Sequence, residues 1–103
     1  MYHASPSLVY ESIVTKGIDY RIHFRGRSKL KDTRDITYAP RGNYLMESYE
    51  SCVDYARSFK VPYDVWEIDT KGINFKADEA WYKGWFTKSR IESYRIKLMQ
   101  KSI

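Results

Sequence analysis

Hydrophobic and polar positions change period several times along the chain, and each change marks an element. Tyr2 to Ala4 reads as a short strand bearing His3, running straight into a helix. Leu8, Val9 and Ile13 lie along one side of that helix, the spacing of an amphipathic 3.6-residue repeat. Ser5 fits its N-cap, since a hydroxyl there accepts from an orphan N–H of the first turn. Pro6 then falls at the first helical position, and Gly17 takes the conformation that ends a helix. Ile18, Tyr20, Ile22 and Phe24 alternate strictly, which predicts a strand over 18–26 or an extended entry into a loop. A long polar loop over 25–42 follows, and loops of that length in compact domains tend to be functional.

The second half repeats the strand-to-helix move. Gly42 to Ser48 predicts a strand ending at another N-cap, Ser48, before a helix with Tyr49, Cys52, Val53 and Ala56 at helical spacing. Val61-Pro62 closes that helix, because the residue before proline is pushed out of the helical region. Strands are predicted at Tyr63 to Ile68, at Ile73 to Phe75 after an Asp69–Gly72 turn, and at Trp81 to Thr87 with a bend at Gly84. Tyr94, Ile96 and Leu98 alternate in a terminal strand. The expected order is β-α-β-loop-β-α-β-β-β, a single α+β domain over 1–103.

Composition narrows the function. A chain of 103 residues with 43% hydrophobic and 17% aromatic residues can bury one modest core. Eighteen basic residues against 13 acidic give a net charge of +5, which favours an anionic partner such as a nucleotide, a nucleic acid or an acidic protein. Cys52 is the only cysteine, which excludes an internal disulfide and a thiolate zinc cluster and suits a buried inert thiol. His3 and His23, the only histidines, have no metal-ligand spacing with it. No phosphate loop, dinucleotide glycine fingerprint or nucleophile elbow occurs. With no signal peptide and no apolar run of spanning length, no membrane role and a cytoplasmic location are expected.

Two features carry candidate chemistry. His3 sits at a strand end beside the exposed N–H groups of a helix start, a corner that suits an anionic or nucleotide ligand. The loop carries Arg25, Arg27, Lys29, Lys31, Arg34 and Arg41, whose guanidinium forks suit phosphate by geometry as well as charge. A structural histidine and a solvated basic loop are the bland alternatives for the two features.

Three stretches resemble the ADP-ribosyltransferase-like fold, in the histidine-tyrosine branch that includes the poly-ADP-ribose polymerases, RNA 2′-phosphotransferases and DNA-modifying toxins. They are Tyr2-His3-Ala4-Ser5 with Ile13 and Gly17, then Asn43 to Ser48 with Cys52 and Tyr55-Ala56, and Val65 to Asp69 through Ile73. The resemblance implies a minimal version of that fold, two helices packed on a strand-rich split sheet. It also implies NAD as substrate. His3 would bond the adenosine ribose, Ser5 would lie close to the ribose or nicotinamide, Tyr44 would stack on the nicotinamide, and Arg25 and Arg27 would lie over the pyrophosphate. His3 and Tyr44 would then be the catalytic pair. The family commonly places a glutamate on a late strand, whereas Gly84-Trp85-Phe86 stands here, with Glu79 and Glu92 to either side.

That departure leaves three functions open. One is transfer of ADP-ribose to a nucleic acid or protein acceptor. The second is a non-catalytic module that binds a nucleotide or nucleic acid. The third is an interaction or inhibitor domain using exposed aromatics such as Trp81 and Trp85.

Overall fold

The computed structural model describes residues 1–23, 42–78 and 84–103. Its strands are β1 (Tyr2–Pro6), β2 (Asn43–Met46), β3 (Tyr63–Ile68), β4 (Lys76–Asp78), β5 (Gly84–Thr87) and β6 (Ile96–Gln100). They form one antiparallel sheet in the order β4-β5-β2-β1-β3-β6. Helix α1 (Tyr10–Lys16), a single turn α2 (Tyr20–His23) and helix α3 (Tyr49–Arg57) make this an α+β domain.

The helices cover opposite faces of the sheet. Side chains alternate along a strand, so Tyr2 and Ala4 of β1 and Tyr63 and Val65 of β3 turn towards Cys52, Val53 and Ala56 of α3. Trp66 and Ile68 turn to the other face, against Ile13 of α1 with Ile18, Leu45 and Ile91. His3 and Ser5 share that second face. Double cover explains the continuous burial of Tyr63 to Trp66, which a strand with one wet face would not show. Ser48 caps α3 as the sequence predicts, its Oγ accepting from the Ser51 N–H at 3.2 Å.

The opening element differs from expectation. β1 continues through Pro6, which pairs with Tyr63, and a 3-10 turn at Ser7–Val9 precedes α1. Ser5 is therefore a strand residue and not a cap, and α1 begins at Tyr10 without a side-chain cap bond. Five register pairs with β3 hold the chain extended here, and that pairing outweighs one capping bond. Gly17 does end α1, at φ 81°, and a Cβ there would lie 2.1 Å from the Ile91 carbonyl oxygen.

Other boundaries move for local reasons. The strand expected from Ile18 is reduced to a bridge with Ile91. Asp19 Oδ1 accepts from the Arg21 N–H at 3.0 Å and starts the helical turn α2 instead. The loop expected at 25–42 lies outside the described residues apart from Gly42. α3 stops at Arg57, ahead of Val61-Pro62. The Ile73 N–H closes a turn on the Thr70 carbonyl at 3.0 Å, so pairing resumes only at Lys76. Tyr94 belongs to a 3-10 turn at Ser93–Arg95 and not to β6.

Candidate functional site

The sheet has one weak seam. β1 and β2 share a single register pair, Tyr2 with Met46, against five between β1 and β3 and four between β2 and β5. At the seam a side chain does the work of backbone. His3 Nδ1 lies 2.7 Å from the Tyr44 carbonyl oxygen. A carbonyl only accepts, so Nδ1 carries the proton; in the neutral form of the ring Nε2 is then an acceptor. The imidazole is 3% exposed.

Polar groups flank this seam at its open end. Ser5 and Asn43 are wholly buried. Trp66 Nε1–H donates to Ser5 Oγ at 2.8 Å. Asn43 Nδ2 donates to the Ser89 carbonyl at 2.7 Å, which ties the start of β2 to the turn after β5. Asn43 Oδ1 has no hydrogen-bond partner among the described residues. An idle buried amide oxygen is unfavourable by about 1–3 kcal/mol, and such groups call for a donor from elsewhere.

His3 and Tyr44 are thus brought together, by imidazole and backbone carbonyl. The Tyr44 ring takes the other face by alternation and packs on Phe86 with centroids 5.9 Å apart. Ser5 joins the same region through Trp66. Arg25 and Arg27 lie outside the described residues.

Two carboxylates near the late strands are engaged. Trp85 Nε1–H donates to Glu47 Oε1 at 2.7 Å, and Arg95 Nε–H donates to Glu92 Oε2 at 3.1 Å. The Arg95 bond holds the Glu92 carboxyl below the usual carboxylate range. β5 itself, Gly84–Thr87, carries none, and Glu79 lies outside the described residues. Burial pushes the Cys52 thiol up to about 12, which makes it a poor nucleophile. Among the described residues no group of three or more His, Cys, Asp or Glu is placed to hold a metal ion. None of their helices is long and apolar enough to cross a membrane.

Sequence reasoning missed Asn43, Asp64 and Trp66. A signal for Asp64 exists: it is the one acidic residue at a core-facing position of the run Tyr63-Asp64-Val65-Trp66-Glu67-Ile68, and it is wholly buried. It faces Ser5 in register and accepts at Oδ1 from Ser7 Oγ at 2.6 Å and from the Ser102 N–H at 2.9 Å.

No protein-family model, curated protein or solved structure matches this chain. The likeness to ADP-ribosyltransferase-like domains therefore rests on its residues alone.

Proposed function

We propose that this domain recognises a nucleotide of the NAD type at the seam between β1 and β2. The observation that supports it is the bond of the His3 imidazole to the Tyr44 backbone carbonyl across the one junction of the sheet held by a single register pair, with the Tyr44 ring on the other face. Asn43 Oδ1 presents an acceptor there, and in the neutral form of the ring His3 Nε2 is another. Ribose hydroxyls and a carboxamide N–H are the complementary donors. Ser5 lies beside them, and Arg25 and Arg27 would meet the pyrophosphate as the resemblance implies. Because His3, Ser5 and Asn43 are buried, the seam must open for a ligand to enter. Association should accordingly be slow for a small molecule.

Binding without turnover is favoured over ADP-ribosyl transfer by the state of the carboxylates. A developing cation at the ribose needs a negative group aimed at it. Glu47 and Glu92 are instead bonded to Trp85 and Arg95.

Calorimetric titration with NAD and with ADP-ribose tests this, followed by assay of the NAD sample for free nicotinamide. Binding of both without nicotinamide release is the expected result. Release would establish a transferase or glycohydrolase acting through a carboxylate other than these two. Failure of both ligands to bind would end the nucleotide proposal and leave a nucleic acid or protein partner to be sought.

A further inference from the structure

The most informative group outside the seam surrounds Lys101. Its Nζ lies 4.4 Å from the centroid of the Tyr10 ring and 3.6 Å from Asp64 Oδ1. Tyr10 is backed by Trp66, stacked on it with centroids 5.6 Å apart and planes 24° from parallel. Asp64 is wholly buried, whereas the Lys101 side chain is 44% exposed. The seat is built into the core, and its occupant comes from the surface.

That occupant fits poorly. A charge-assisted N–H···O bond spans about 2.7–2.9 Å, and Lys101 stops well outside that range. Asp64 Oδ1 is already used by Ser7 and Ser102. Asp64 Oδ2 has no hydrogen-bond partner among the described residues. A wholly buried carboxylate with one idle oxygen, beside an aromatic face, suits a cation seated closer to it than Lys101 sits.

We infer that Tyr10 and Asp64 form a site for an N–H-bearing organic cation, the alkylammonium or guanidinium of a partner's lysine or arginine side chain, with Lys101 as its resident stand-in. Guanidinium suits the site best, because it stacks flat on a ring and offers parallel donors to a carboxylate. The backbone beside Lys101 is strained. Ser102 next to it sits at φ 57°, a conformation that L residues other than glycine adopt at a cost. Ile103 remains anchored through its backbone bonds to Tyr63. The seat lies on the β3 side of β1, away from β2, and touches the seam through Trp66, whose indole also donates to Ser5.

Lys101→Met removes the resident charge and keeps most of the apolar stem. The full chain carrying it, and the parent, would be titrated at constant ionic strength with ethylguanidinium, n-butylammonium and tetramethylammonium chlorides. The Trp66 indole N–H resonance, assigned through its loss in Trp66→Phe, reports on the stacked pair. Ethylguanidinium and n-butylammonium should give saturable shifts in Lys101→Met and bind about tenfold more weakly to the parent, where Lys101 competes. Tetramethylammonium, which has no N–H, should give none. Asp64→Asn in the Lys101→Met chain should abolish saturation. Should that variant not fold, Tyr10→Leu in the same background replaces it and should weaken binding. Equal response to the three salts, equal affinity in parent and Lys101→Met, or saturation unaffected by the Asp64 or Tyr10 change would overturn the assignment.

Discussion

Removing the His3 imidazole tests whether a side chain holds the weak seam together. His3→Ala deletes the donor to the Tyr44 carbonyl, a 2.7 Å bond, at a cost of about 1–3 kcal/mol. Truncating a side chain that is 3% exposed also opens a cavity, worth roughly another 1 kcal/mol. The sum, about 3 kcal/mol, corresponds to a drop in Tm of roughly 15 °C for a domain of this length. This departs from what a purely ligand-binding histidine would show, namely lost binding at unchanged stability. His3→Asn separates the two roles, because its amide N–H can take the place of Nδ1 while nothing replaces Nε2. It should recover about half of the lost stability and still fail to bind NAD. Thermal unfolding followed by circular dichroism measures the first effect, and calorimetry the second. A His3→Ala protein melting within about 2 °C of the parent would refute the seam argument. An Asn variant that binds NAD normally would remove Nε2 from the site.

Gly17→Ala should destabilise by about 3 kcal/mol or more, since φ is 81° and the new Cβ would sit 2.1 Å from the Ile91 oxygen; a urea midpoint unchanged from the parent would contradict it. Trp66→Phe should lower stability by about 2 kcal/mol through loss of the indole bond to the buried Ser5 hydroxyl, measured by chemical denaturation. For Cys52, burial raises the folded pKa to about 12, against about 8.5 in an unfolded chain. Its contribution is therefore fully present below about pH 8.5 and is lost as pH rises towards the folded value, at about 1.4 kcal/mol per pH unit. Cys52→Ala should remove that share of the alkaline slope, seen by comparing unfolding of the two proteins at mildly and strongly alkaline pH.

What the sequence revealed and what it concealed divide along physical lines. Elements defined by local chemistry were legible. Ser48 caps α3 through its own hydroxyl, and Gly17 ends α1 at positive φ. Tyr63 to Ile68 is a strand because its aromatic and branched residues fill two faces at once. The errors arose where a distant partner decided the outcome. Ser5-Pro6 has every local mark of a helix start, yet β3, nearly sixty residues later, holds it extended. Ile18 to Phe24 alternates like a strand, but Asp19 turns the chain at once by bonding Arg21. In the candidate site, the pairing of His3 with Tyr44 comes from the resemblance. That their bond runs through the Tyr44 carbonyl, with its ring on Phe86, depends on register, which no local pattern encodes.

The placement of polar burial is itself an argument for where this protein acts. β1 is one of the two central strands, with β3 on one side and β2 on the other. Its residues on the α1 face, His3 and Ser5, are polar where an isolated core would favour valine or leucine. Asn43 on β2 and Asp64 on β3 each bury an acceptor oxygen with no hydrogen-bond partner among the described residues. Each such oxygen opposes folding by an amount comparable to a hydrogen bond, in a domain whose whole stability margin is only about 5–15 kcal/mol. Chains keep local conflicts of that size chiefly where function requires them. One conflict lies beside the seam with β2 and the other beside Tyr10 and Lys101, so β1 separates two places where the core awaits a hydrogen-bond donor. On this basis Asn43→Leu and Asp64→Leu, each removing an idle acceptor, should be tolerated better than burial alone would suggest, with Asp64→Leu the worse of the pair because it also frees Ser7 and Ser102. If Asn43→Leu destabilises the chain as much as Gly17→Ala, its carboxamide is a structural tie to Ser89 first and a ligand group second.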